Sequence, residues 1–167
     1  AGFPEHLFRT LLIGAGKVGA VIEHPLVQAV TLTGSTPAGK AVASKAGDMV
    51  KKTVLELGGN DPYIILEDAD LEVAASSCAA SRLINAGQSC IAAKRFIVVK
   101  SIRTEFERRF IKHMKTQTMG DPMDPATTLG PMARHDLRDE LHSQVRQCID
   151  KGATCLLGGK IPEGKGA

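Results

Sequence analysis

The sequence has 167 residues, enough for about one domain with a sizeable core, and its 43% hydrophobic and 23% charged residues are ordinary for a soluble globular chain. A net charge of +3, basic and acidic residues interleaved as in 136–146, and 4% aromatics give no basic stacking surface, so nucleic acid is not an expected partner. No apolar run is long enough to span a membrane, the opening AGFPEHLFRT lacks the form of a signal peptide, and Cys78, Cys90, Cys148 and Cys155 show no CxxC or Cys/His metal spacing; free thiols in a reducing cytoplasm, with no metal and no membrane, are expected.

Strand-like and helix-like segments alternate, which implies an α/β fold, layered, with a largely parallel sheet and flanking helices. Residues 8–13 read as a strand ended by Gly14, and residues 17–24 as a short helix stopped by Pro25. Ala29 to Thr33 reads as a second strand, after which a helix should start near Pro37, since proline is at ease in a first helical turn. Residues 52–57 and 63–66 read as two more strands around a GGND turn. Asp68 is a candidate N-cap for a helix that places Leu71, Ala74, Ala75, Cys78, Ala79 and Leu83 on one face. Residues 95–99 are strand-like, and Ile102, Phe106, Phe110 and Met114 recur at helical spacing. Three prolines keep 120–131 a loop. Leu137, Leu141, Val145 and Cys148 mark a further helix, and 153–157 a last short strand.

Two glycine motifs suggest phosphate binding. Gly14-Ala15-Gly16-Lys17-Val18-Gly19 has the G-x-G-x-x-G form, but the next strand ends in Thr33-Gly34 with no acid to hold a ribose, so an ordinary tight turn is the competing reading. Gly34-Ser35-Thr36-Pro37-Ala38-Gly39-Lys40 has the G-x-x-x-x-G-K form. Ala41 follows where a phosphate loop needs a hydroxyl for magnesium, which argues against nucleotide-triphosphate chemistry. Ser35, main-chain N–H groups and the helix dipole could still face an anion, or could merely cap a helix.

Two side chains suggest catalysis. Glu56 follows a β-branched and apolar run and precedes Gly58-Gly59; its neighbours suggest burial at a strand end, which would favour base chemistry, against a lysine-paired glutamate at a sheet edge. Cys78, Cys148 and Cys155 sit among apolar or helical-face positions and read as small hydrophobes. Cys90 differs. It follows Asn85-Ala86-Gly87-Gln88-Ser89, a small polar segment beyond a helix break, where a thiol would be accessible and near free N–H groups.

The sequence resembles the aldehyde dehydrogenase superfamily in three segments that occur in the family's order and spacing. LELGGNDP (55–62) is similar to its glutamate motif, NAGQSCIAAKRF (85–96) to its cysteine motif and TLTGSTPAGK (31–40) to its cofactor-phosphate segment. GDPMDPATTLGPMA (120–133) is also similar to a family segment, and the match looks most like the succinate-semialdehyde dehydrogenase branch. The resemblance implies Cys90 as nucleophile, Glu56 as base, and Gly34, Ser35 and Leu57 as contacts of NAD or NADP, with Gly14 to Gly19 an ordinary turn. It implies an aldehyde substrate and a homo-oligomeric parent enzyme; Lys94 and Arg95 are candidate carboxylate partners by position only, against the competing reading of sheet-edge surface charges. It also implies an internal portion of a longer enzyme, with 1–54 closing a dinucleotide-binding domain and 55–167 opening a catalytic domain. A non-catalytic module and a phosphate-loop protein are the rival readings.

Overall fold

The computed structural model describes residues 2–163, which form two compact units dividing between Gly58 and Gly59. Each unit holds one pair of parallel strands with a helix as crossover, so the expected α/β class and parallel pairing are both present, as two small sheets.

In the first unit, α1 (Val18–Glu23) precedes β1 (Ala29–Thr33), α2 (Thr36–Asp48) and β2 (Lys52–Glu56). β1 and β2 pair from Ala29 opposite Lys52 to Thr33 opposite Glu56. Ile22 and Ala46 are buried, and the Lys51 ammonium donates to the carbonyls of Ile22 and His24, tying the end of α1 to the start of β2. The strand expected at 8–13 does not form. The Ile13 N–H bonds back to the Leu11 carbonyl, Phe8 and Leu12 are exposed, and no described strand pairs with the segment. An apolar run becomes a strand only where a neighbour takes its N–H and C=O groups.

In the second unit, β3 (Pro62–Ile65), α3 (Leu71–Leu83) and β4 (Arg95–Val98) form the second crossover, followed by α4 (Arg103–Lys115) and α5 (His135–Asp150). The cap of α3 is Asp70, not Asp68: its carboxylate accepts from the N–H groups of Glu72 and Val73, while Asp68 lies in the preceding turn. Ile65, Ala75, Cys78 and Phe106 make the core, with Tyr63, Phe96 and Phe110 against it. Phe96 lies 5.9 Å from Tyr63 and 5.0 Å from Phe110 between ring centres. Across the described residues only nine apolar side chains are buried, so the core is smaller than the chain length suggests. Residues 153–157 are exposed and unpaired rather than a strand. Cys148 and Cys155 are exposed too, so only Cys78 is the small core hydrophobe the sequence suggested for all three.

Candidate active site

In parallel sheets, the loops after the strands' carboxyl ends commonly carry ligand groups. Gly34 and Ser35 follow β1, and Glu56 and Leu57 end β2, so the first unit brings four expected site residues to one sheet edge. The Gly34 N–H donates to the Glu56 carbonyl at 2.9 Å and locks the two strand ends together. Ser35 caps α2, its hydroxyl accepting a long contact from the Ala38 N–H at 3.4 Å. The first turn of α2 carries no acid, and the N–H groups of Ser35 and Thr36 have no acceptor among the described residues. That donor set fits a pyrophosphate at a helix N-terminus. Leu57 covers Gly39 so closely that a Cβ there would lie 2.7 Å from Leu57 Cδ2.

The phosphate-loop reading fails on this geometry. α2 begins at Thr36, so Gly39 and Lys40 are helical and no open loop separates Gly34 from Lys40. Gly14 to Lys17 is a short 3-10 turn with the Lys17 N–H bonded to the Gly14 carbonyl, and among the described residues no strand precedes it, so the G-x-G-x-x-G context is also missing.

Glu56 is exposed at the end of β2 and makes no ion pair among the described residues. Neither the buried glutamate nor the lysine-paired one inferred from its neighbours is present; an alternating strand at a sheet edge puts it on the open face.

Cys90 belongs to the second unit, in the connection from α3 to β4. α3 does not simply stop at Gly87. It gives way after Leu83 to a tight turn in which Asn85, Ala86 and Gly87 all have positive φ, at 50°, 53° and 79°. Gly87 is the residue that fits there, since a Cβ would also strike the Arg82 guanidinium. Arg82 holds this strained turn by donating to the carbonyls of Gly87 at 2.7 Å and Ala93 at 2.8 Å. Gln88 ties it to the loop before α5, its side-chain oxygen accepting from the Ala133 N–H at 2.9 Å.

The thiol of Cys90 is exposed, and no acceptor among the described residues takes its N–H. Its carbonyl is enclosed: the Lys94 ammonium donates to it at 3.1 Å, and a Cβ on Gly59 would lie 2.6 Å from its oxygen. Cys78, by contrast, is buried in the core, and that burial pushes its thiol pKa up.

Lys94 and Arg95 have partners other than a substrate carboxylate. Lys94 also donates to Ser89 and Ala92 carbonyls at 3.0 and 2.9 Å, which uses all three of its hydrogens. Arg95 donates through Nε and Nη2 to the Asn60 carbonyl. Sequence reasoning gave Arg82 and Gly59 no role, and read Lys94 as a carboxylate partner or a sheet-edge charge rather than as a holder of main-chain carbonyls. A cavity of about 630 Å³ in the second unit, lined by Met132, Leu141, Val145 and Ile161 among others, does not include Cys90.

The model of the aldehyde dehydrogenase family matches residues 1–167. The chain belongs to the aldehyde dehydrogenase family. Among aldehyde dehydrogenases it is 50% identical over 165 residues to a succinate-semialdehyde dehydrogenase [NADP(+)] of Mycobacterium avium, covering 99% of this chain and 35% of the relative. The fold superposes with a TM-score of 0.89 on a succinic semialdehyde dehydrogenase of Streptococcus pyogenes crystallised with NADP+, 41% identical, covering 93% of this chain and 34% of that one. An aldehyde dehydrogenase of Pseudomonas syringae in complex with NAD+ and octanal is 34% identical with a TM-score of 0.83, covering 87% of this chain and 30% of that one. The chain thus spans about a third of the length of the aldehyde dehydrogenases it matches. No helix among the described residues is long and apolar enough to cross a membrane.

Proposed function

We propose that the chain carries the nucleophile, the base and part of the cofactor site of an NAD(P)-dependent aldehyde dehydrogenase that oxidises an aldehyde to its carboxylic acid. The observation that carries this reading is Cys90 itself: an exposed thiol with its own N–H unengaged, on a turn held from both sides by Arg82 and Lys94. Residues 1–54 then close the dinucleotide-binding domain and residues 55–167 open the catalytic domain. Succinate semialdehyde is the proposed substrate, on the strength of the similarity to the enzymes of Mycobacterium avium and Streptococcus pyogenes. A homo-oligomeric enzyme of the cytoplasm completes the proposal.

In this mechanism the Cys90 thiolate attacks the aldehyde carbon, giving a thiohemiacetal whose oxyanion faces the Cys90 N–H. When bound, NAD(P)+ would supply the hydride acceptor that turns the thiohemiacetal into a thioester on Cys90; Gly34, Ser35 and the start of α2 would hold its pyrophosphate, and Leu57 would contact its nicotinamide end. Glu56, exposed and free of ion pairs, takes a proton from water, the hydroxide adds to the thioester carbon, and the acid departs as Cys90 regains its thiolate.

The test is the alkylation rate of each cysteine, read by peptide mass spectrometry near neutral pH with and without NAD(P). Cys90 should react faster than Cys148 and Cys155, which are exposed as well, and cofactor should change its rate alone. Equal rates at the three, unmoved by cofactor, would sink the reading.

A further inference from the structure

The Lys94 ammonium sits where three main-chain carbonyls of the cysteine turn converge: Ser89 at 3.0 Å, Cys90 at 3.1 Å and Ala92 at 2.9 Å. The Ser89 carbonyl belongs to the same peptide unit as the Cys90 N–H. The described peptide bonds are trans, and in a trans peptide the C=O and N–H point to opposite sides. Drawing the Ser89 oxygen onto Lys94 therefore turns the Cys90 N–H away from the ammonium. That N–H has no acceptor among the described residues. A cation on the carbonyl also polarises the peptide and makes its N–H a stronger donor. The second carbonyl fixes the other side of Cys90, whose oxygen is wedged between Lys94 and the bare Cα of Gly59.

We infer that Lys94 is a positioning residue that aims and polarises the Ser89–Cys90 peptide, so that its N–H receives the oxyanion formed on attack by Cys90 Sγ. The inference rests on the proposed role of Cys90 as nucleophile. Lys94 touches no substrate in it and acts only through the main chain.

The test uses two thiol probes that differ in one respect. With 4-nitrophenyl acetate, the thiolate adds to the ester carbon through an oxyanion, the S–C bond forms, and 4-nitrophenolate leaves with the C–O electron pair. With iodoacetamide, the thiolate displaces iodide at a saturated carbon and no oxyanion forms. Both reactions consume thiolate, so a change in thiolate fraction or access moves both rates, and their ratio at Cys90 reports the oxyanion donor. Site-resolved mass spectrometry follows Cys90, with Cys148 as reference. Lys94→Met should slow acylation of Cys90 by about 10- to 100-fold while alkylation changes by less than about twofold. Lys94→Arg, which keeps the charge, should recover part of the acylation. A Lys94→Met chain in which both rates fall together, or neither falls, overturns the inference, the first outcome showing only that the turn has loosened. If the unsubstituted chain acylates Cys90 no faster than Cys148, the nucleophile reading fails first, and the role of Lys94 with it.

Discussion

Gly59 passes so near Cys90 that a Cβ on it would lie 2.6 Å from the Cys90 carbonyl oxygen, inside any normal contact. The obstacle is main chain that Lys94 already holds, so neither partner can step aside cheaply. Gly59→Ala should displace the cysteine turn and destabilise the second unit by about 1–3 kcal/mol. Denaturant melts would show the loss, and the alkylation rate of Cys90 should move toward that of Cys148. An unchanged midpoint and an unchanged rate would mean that the close approach is not maintained in solution.

Gly39 and Leu57 offer a contrast. A Cβ on Gly39 would meet Leu57 Cδ2 at 2.7 Å and Cδ1 at 2.9 Å, but these are the ends of a side chain that can swing. Alanine also favours helix over glycine by about 1 kcal/mol, which offsets the crowding. Gly39→Ala should therefore leave stability within about 1 kcal/mol, yet push Leu57 toward the place proposed for the nicotinamide. NAD(P) affinity, followed by fluorescence titration, is expected to drop several-fold with no matching change in the melt.

The elements that were legible in sequence are those whose signals are local. Ser35 ahead of Thr36-Pro37, and the spacing of Ile102, Phe106 and Phe110, fix α2 and α4 without reference to anything distant. The segments 8–13 and 153–157 read as strands because strand character was inferred from composition, while a strand exists only where a partner pairs with it. At the candidate site, Cys90 stood out through its small polar surroundings. Lys94 and Arg82 did not, because their roles are to hold carbonyls of residues that only the turn itself brings into reach. Glu56 was inferred to be buried from the apolar residues before it, but in an edge strand alternate residues face opposite sides and its side is open.

If Glu56 is the base that activates water, its loss should separate two steps that the nucleophile performs in sequence. Glu56→Gln keeps the size of the side chain and removes the proton acceptor. Acylation of Cys90 by 4-nitrophenyl acetate should proceed at its former rate, while hydrolysis of the acetyl-Cys90 thioester slows by about 100-fold or more. The lifetime of the acetylated peptide in quenched samples measures the second step directly. An unaltered lifetime would remove Glu56 from the mechanism and leave Cys90 untouched.

A last prediction concerns acid. On the face between α3 and α4, Glu72 receives a hydrogen bond from His113 at 2.9 Å and one from Arg109 at 2.8 Å, and both hold its carboxyl below the usual range. Glu105, bonded by Arg108 and then Arg109, is lowered from 4.5 to about 2. A carboxylate whose folded pKa lies below its unfolded one stabilises the fold above the unfolded value and loses that contribution as pH falls through the folded value. For Glu105 the window runs from 4.5 down to about 2, and the direction for Glu72 is the same. Glu72 is exposed and Glu105 half-buried, and solvent reaches and screens both carboxylates, so the effect is modest and shrinks with salt. The melting temperature of the second unit should therefore decline as pH falls below 4.5, and decline less steeply in a Glu72→Gln, Glu105→Gln double variant. Parallel curves for the two chains would show that neither the Glu105 pairs within α4 nor the Glu72 pairs between α3 and α4 contribute to the acid stability of the second unit.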